Sequence, residues 1–185
     1  MKKFLSFAAI ALLACVCVSC GDDDEPGASG ETFSKIVIDV EFSNVTANIL
    51  DNYNITLTGK DFNGTDVNET VNGDFKKTYT CTRVPKMNEE IPANLKLTYE
   101  PKTGRPENQQ YTTGGMHQKI TFTIYDKNGK ELRSSVYKNL YNKDQYSPFS
   151  KFDQIIQRDY AFDKTFYYGY LKNQMTGKNF YNFWW

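Results

Sequence analysis

The chain has few side chains that titrate near neutral pH, and neither its acidic nor its basic residues are in excess. Only one of its 185 residues is a histidine, and 22 basic residues balance 22 acidic residues. A balanced charge excludes the basic footprint of a general nucleic-acid binder, so we expect no nucleic acid partner. His117 follows Gly114 and Gly115 in an expected loop, which disfavours a catalytic site that uses histidine as a base.

The sequence also lacks the spacings that hold zinc or phosphate. No group of His and Cys has zinc-ligand spacing, and no glycine-rich phosphate loop precedes a helix. We therefore expect no cofactor, no metal and no enzymatic activity. The oxygen-rich residues 61–69 and, less so, 126–131 leave calcium open, although Gly64 is fourth in its segment where an EF-hand loop has glycine sixth. Asp153 and Asp159 leave a hydrolase open as a less favoured class.

Long apolar runs are absent after residue 18, which excludes a polytopic helical membrane protein. The one apolar run, residues 4–18, follows Lys2 and Lys3 and is shorter than the ~20 residues of a comfortable membrane-spanning helix. A positive start followed by a short apolar stretch is typical of a signal peptide.

The end of this run resembles the cleavage site of bacterial lipoprotein precursors, in which a small residue precedes a cysteine that becomes lipidated. Ser19 before Cys20 fits that rule, whereas Cys17 stands where leucine is commoner. Cys15, which follows Ala14, is a rival site. We choose Cys20 because cleavage there leaves a solvated acidic run on the mature chain.

That acidic run, which consists of Asp22, Asp23, Asp24 and Glu25, resembles the surface-export signal of Bacteroidetes outer-membrane lipoproteins. The resemblance implies a protein anchored in the outer membrane through its lipid and facing the cell exterior. A soluble spacer is the alternative interpretation. We expect a signal peptide at residues 1–19, the lipidated cysteine and a flexible tether at 20–32, and a single domain at 33–185.

Cys81 is then the only cysteine without a lipid, so no intrachain disulfide can form. It lies in the alternating run of residues 78–82, which predicts a buried and inert thiol.

Alternation of apolar and polar residues predicts a chain of short strands. Ile36, Ile38, Val40 and Phe42 alternate with polar or smaller residues, which is typical of a strand with one buried face. Similar patterns predict strands at residues 53–58, 75–84, 95–99, 120–125, 132–141, 165–171 and 179–185. Short strands separated by turn residues favour an antiparallel β-sandwich, immunoglobulin-like or transthyretin-like.

Two local signals interrupt or join these strands. Asn128 and Gly129 predict a two-residue hairpin in which both residues have positive φ. Ser147 and Pro148 predict the N-cap and first residue of one short helix that runs to Arg158.

Aromatic residues are concentrated in the last twenty positions. On a strand, Phe180, Asn182 and Trp184 share one face, while Tyr181, Phe183 and Trp185 share the other. We expect the second row to be core and Trp184 to be the more exposed indole. The rings therefore either close the core or form a platform for sugar faces, for which we name Trp184, Phe180, Tyr168 and Tyr170.

These features favour a surface-exposed lipoprotein that acts as a non-catalytic binding module for glycan or another cell-surface polymer. The alternative is a structural or adhesive component of a fimbria-like surface assembly, which would bind other surface proteins. Fold alone does not decide between them.

Overall fold

The structure, a computed structural model, describes residues 32–106, 110–141 and 146–185. These residues form two antiparallel sheets packed together, with a short helix at one end. The predicted all-β sandwich is therefore confirmed.

Four strands form sheet A and five form sheet B. Sheet A contains β1 (Phe33–Ser43), β4 (Phe75–Cys81), β7 (His117–Asp126) and β8 (Glu131–Tyr141), in the spatial order β4-β1-β7-β8. Sheet B contains β2 (Tyr53–Lys60), β3 (Asp66–Thr70), β5 (Glu90–Pro101), β10 (Phe162–Lys172) and β11 (Asn179–Trp184), in the order β11-β10-β5-β2-β3. A small ladder pairs β6 (Gln110–Thr112) with β9 (Tyr146–Pro148).

The core lies between the two sheets and follows the alternation of the sequence. In β1 the side chains of Ile36, Ile38, Val40 and Phe42 are all buried. Complete burial of each such aliphatic side chain is worth about 1.5–3 kcal/mol relative to exposure. Because β1 lies between β4 and β7, the register of this strand fixes the buried face of its neighbours.

Two helical segments close one end of the sandwich. The expected helix is α2 (Phe149–Ile155), which continues as a π-helical turn (Ile156–Tyr160). Pro148, rather than Ser147, occupies its N-cap with extended backbone at φ −60° and ψ 154°, so the predicted start is wrong by one residue. The four-residue α1 (Ala47–Leu50) was not predicted.

The turn between β7 and β8 also differs from the prediction. Gly129 has φ of 78°, but Asn128 does not have a positive φ. The amide of Gly129 donates to the carbonyl oxygen of Asp126, and the carboxylate of Asp126 accepts from the amides of Asn128 and Lys130. The aspartate thus holds a turn wider than two residues, and only its glycine has left-handed backbone.

The strands give the sandwich two distinct ends. We call the end where β1 begins the tether end; it carries the turns and loops 61–65, 82–89, 127–130 and 173–178. The opposite end, the far end, carries α1, the segment 102–106, α2 and its π-helical turn.

Candidate functional site

The hairpin of β10 and β11 contains all four aromatic residues proposed as a sugar platform. Tyr170 pairs with Tyr181, and Tyr168 pairs with Phe183, so all four side chains share one face. That face is the core, and all four side chains are buried. The prediction that Tyr168 and Tyr170 contact a ligand is therefore wrong, because the strand period turns both rings inward.

Tyr168 instead organises the core at the tether end. Its hydroxyl donates to the carbonyl oxygen of Arg83 at 2.5 Å and lies 3.3 Å from Sγ of Cys81. Burial raises the pKa of the Tyr168 hydroxyl, which keeps it protonated. Cys81 is itself buried, as predicted.

The other two platform residues lie on the outer face of sheet B. The ring of Trp184 stacks on Tyr167 of the paired strand, with 6.1 Å between centroids and 14° between planes. Phe180 is on the same face, and the guanidinium of Arg133 lies 5.9 Å from its ring centroid. Trp184 and Phe180 are both half-buried, so each keeps accessible surface.

Trp185, not Trp184, is the more exposed indole, and the prediction on this point is wrong. Trp185 is 46% exposed. Strand β11 ends at Trp184, and the next ring lies across the open side of the sandwich. Its centroid is 5.4 Å from that of Tyr137 and 5.8 Å from that of Phe122, so the indole also covers part of the core.

An open groove runs along this side, between the last strand of sheet A and the last strand of sheet B. We call it the seam groove. It has a volume of about 360 Å³ and is lined by Arg133, Ser134 and Ser135 of β8 and by Asn182, Phe183, Trp184 and Trp185 at the C-terminal strand.

The polar wall of the seam groove arises from β8. Arg133 pairs with Ile124 and Ser135 pairs with Phe122, so both polar side chains occupy the face that in β7 is buried. On β8 they are only half-buried, because this edge strand is not fully covered by sheet B. Polar groups are tolerated at these inward positions because water reaches them.

The seam groove thus combines indole rings with hydrogen-bonding groups. The amide of Asn182 and the hydroxyl of Ser135 can each donate and accept, while Arg133 donates only. The hydroxyl of Ser134 lies on the other face of β8, 3.2 Å from the hydroxyl of Thr123. Aromatic rings beside such groups suit a ligand that has both C–H faces and hydroxyls.

A second cavity, of about 440 Å³, lies at the far end. Its lining is mainly polar and consists of Asn48, Asp51, Asn52, Thr103, Gly104, Arg105, Pro106 and Tyr111. Asn52 is buried and donates through its Nδ2 to the carbonyl oxygen of Asn48 at 2.6 Å. This amide holds α1 against the strand that follows it.

Beside this cavity, Arg105, Asp153 and Tyr53 form a cluster that we call the latch. Arg105 donates two hydrogen bonds to the carboxylate of Asp153 at 2.7 and 2.8 Å, and the hydroxyl of Tyr53 donates to the same carboxylate. The guanidinium also lies 5.1 Å from the ring centroid of Tyr53. The hydrogen bonds from Arg105 and then from Tyr53 lower the pKa of Asp153.

Asp159 is the second carboxylate that the sequence offered to a hydrolase. Arg158 donates to it at 2.6 and 2.7 Å and lowers its pKa. A general acid needs a raised pKa, whereas both Asp153 and Asp159 are held as anions by their own arginines.

Other titratable groups serve local structure. Nε2 of His117 lies 2.7 Å from Oδ1 of Asn139. Lys138 donates to the carbonyl oxygens of Tyr160 and Ala161, and burial lowers its pKa to about 8. These contacts place Lys138 at the end of the π-helical turn, where a cation is favourable.

The oxygen-rich turns use their carboxylates internally. Asp61 accepts from the amides of Asn63 and Thr65, as Asp126 does in its own turn. Within residues 32–106, 110–141 and 146–185, no three His, Cys, Asp or Glu side chains lie together as metal ligands would.

The predicted lipidation residue Cys20, its rival Cys15 and the acidic run Asp22, Asp23, Asp24 and Glu25 lie outside the described residues. In the part of the chain that is described, no helix is long and apolar enough to cross a membrane.

Of the residues that line the seam groove, only Trp184 was predicted from the sequence as a ligand contact, and Phe180 lies outside the lining. The one available signal was the polar pair Arg133 and Ser135 at inward positions of a strand pattern, and it has meaning only once β8 is known to be an edge strand. No protein family, curated protein or solved structure matches the chain.

Proposed function

We propose that the protein is a surface-exposed lipoprotein, anchored to the outer membrane through Cys20, that acts as a non-catalytic binding module for glycan. The seam groove is the binding site. The observation that carries the proposal is the lining of this one groove by two accessible indoles, an amide, the hydroxyl of Ser135 and a guanidinium.

The geometry supports a sugar chain over a compact ligand. The groove lies between two sheet edges and is open to solvent, so that a ligand longer than the groove can extend beyond it. The rings of Trp184 and Trp185 offer surfaces for the C–H faces of sugar rings, and the polar groups of β8 and Asn182 offer partners for hydroxyls. Arg133 favours a glycan that carries carboxylate or sulfate groups.

Affinity electrophoresis through native gels tests the proposal. Gels would contain a soluble neutral glucan, a polygalacturonate or a sulfated glycosaminoglycan. We expect at least one acidic polysaccharide to retard the protein, and Trp184→Ala, Trp185→Ala and Arg133→Gln each to weaken the retardation. The matched control is Val136→Ser, because Val136 is exposed on β8 but does not line the groove.

A stability measurement separates lost binding from lost folding. Trp185→Ala should lower the free energy of unfolding by about 2 kcal/mol or less because the ring is half-exposed, whereas Tyr170→Ala should lower it by about 3–5 kcal/mol. Retardation that survives in both tryptophan variants, or that is absent from every gel, contradicts the proposal.

A strand-accepting subunit of a fimbria-like assembly is the second candidate. The observation that favours it is that β8 and β11 each end a sheet on the same side, so that both expose unpaired backbone groups. A donated strand binds to backbone, so that binding of surface proteins from the same cells should survive Trp184→Ala and should be blocked by Ser134→Pro on β8. The opposite pattern favours glycan.

A further inference from the structure

The tether end carries exposed apolar side chains that the core does not use. Met175, in the turn 173–178, is 96% exposed, and Val84 and Met87 are exposed in the loop 82–89. That loop runs beside the end of β10, because Met87 pairs with Tyr170. Exposed apolar side chains concentrated at one end of a domain are available for contact with a partner.

Lysines surround these apolar residues. Five are exposed at this end, four of them in the turns and loops and one at the end of β10, and none of the five takes part in an ion pair within the described residues: Lys86, Lys127, Lys130, Lys178 and Lys172.

The acidic groups at this end are mostly engaged. Asp61 and Asp126 accept from the amides of their own turns, and Glu89 is bound to Arg83. Asp66 is bound to Lys60, while Glu131 beside Lys130 and Glu90 at the start of β5 remain exposed. The tips of the loops therefore present mainly positive charge.

The chain enters the domain at this same end. The amide of Lys127 donates to the carbonyl oxygen of Thr32 at 3.0 Å. The eleven residues between Cys20 and Thr32 span at most about 40 Å when extended, so a lipid on Cys20 would hold this end within about 40 Å of the bilayer. A tether of that length does not by itself fix how the domain faces the membrane.

We propose that the tether end is a docking surface for an anionic lipid membrane. Met175, Met87 and Val84 enter the interfacial region of the bilayer, and the lysines contact the phosphates of the headgroups. Flexible methionine side chains adapt to such an interface, and each lysine near an anionic surface adds to the attraction. Docking places the far end and its cavity away from the bilayer, about 36 Å from it, since β1 has 11 residues.

This inference goes beyond glycan binding and needs no particular ligand in the seam groove. The inference uses the proposed lipid anchor at one point only, which is that the anchor brings the tether end close to the bilayer. The test uses a chain without lipid, so that the docking surface and the anchor fail separately.

The test is flotation with vesicles, using residues 20–185 with Cys20→Ser. The core begins at Phe33, so this chain keeps every core residue. The probes are vesicles of phosphatidylcholine alone and vesicles containing about 30% phosphatidylglycerol. We expect binding only to the anionic vesicles, weakened by added salt.

Charge reversal at the tether end, Lys127→Glu with Lys178→Glu, should lower the partition coefficient at least tenfold, and Met175→Asp should lower it severalfold. The matched control is Lys151→Glu with Lys164→Glu, which reverses two exposed lysines outside the tether end and should leave binding unchanged. Circular dichroism checks that each variant is folded. The proposal is overturned if the parent chain does not bind the anionic vesicles. It is also overturned if the control variant loses as much binding as the tether-end variants, or if both tether-end variants bind as well as the parent chain.

Discussion

Gly59 occupies a position in β2 that no other residue can take without moving the sheet. Its φ is 132°, and a Cβ added there would lie 1.9 Å from the carbonyl oxygen of Asn94 on β5. The strain and the clash come from backbone, which cannot rotate away as the tip of a side chain can. The close approach of β2 to β5 therefore depends on one missing methyl group.

We expect Gly59→Ala to lower the free energy of unfolding by about 3 kcal/mol or more, through backbone strain together with overpacking. Urea denaturation of the purified variant measures this. Gly73→Ala is the control, because that glycine lacks a positive φ and a Cβ there would have no atom within 4 Å. If both variants unfold at the same urea concentration, β2 and β5 do not approach as closely as the structure shows.

The helix α2 depends on the latch at the scale of secondary-structure elements. Asp153 lies on α2, Arg105 lies in the segment after β5, and Tyr53 begins β2, so the one carboxylate joins three elements. The side chain of Arg105 is only 7% exposed. Removal of Asp153 takes a carboxylate away from a buried guanidinium, which is more damaging than loss of a surface pair.

We expect Asp153→Asn to destabilise the protein by about 3 kcal/mol near neutral pH, whereas Asp159→Asn, which breaks an exposed pair, should change stability by less than about 1 kcal/mol. Chemical denaturation at pH 7 compares the two variants. Equal effects would show that the latch contributes no more than a surface ion pair.

The latch also predicts a dependence on pH. Folding lowers the pKa of Asp153, so its contribution is fully present above the unfolded pKa of about 3.9 and is lost as the pH falls through the lower folded value. Asp153→Asn should therefore lose less stability than the parent chain between pH 4 and pH 2. Urea midpoints measured at several pH values in that window check the difference.

At this scale the sequence predicted the long strands and missed the short or polar ones. In β1 a strict alternation of four large apolar residues leaves one arrangement that buries them all. In β3 only Val67 is buried, so its five residues show no periodicity and pair because β2 lies beside them. The strands β6 and β9 have three residues each, too few for a pattern.

The candidate site was predictable only in part, because it depends on which strands lie at the edges. Alternation placed Tyr181 and Phe183 in the core and Trp184 on the opposite face, as the structure shows. The same rule assigned Trp185 to the core, but the strand ends one residue earlier and no second sheet covers the ring completely. Arg133 lies beside Phe180 although 46 residues separate them in the sequence. The order of the strands in the two sheets produces this contact, and the periodicity of the sequence does not predict that order.

At the scale of the whole molecule, the core of the described residues begins at Phe33, and the proposed export signal lies before it in the sequence. The acidic run at residues 22–25 precedes Thr32, where the described structure begins. A change to this run should alter where the protein resides without altering how it folds.

We therefore expect deletion of Asp22, Asp23, Asp24 and Glu25 to leave the protein lipidated and folded but to move it from the cell exterior to the periplasmic side of the outer membrane. Protease added to intact cells measures exposure, and metabolic labelling with a fatty acid measures lipidation. Cys20→Ser is the matched variant, because it should abolish labelling. If labelling persists in Cys20→Ser and is lost only in Cys15→Ser, the lipid is on the earlier cysteine. If the deletion leaves protease accessibility unchanged, the acidic run is a solvated spacer, because a spacer requires length and polarity but carries no export signal.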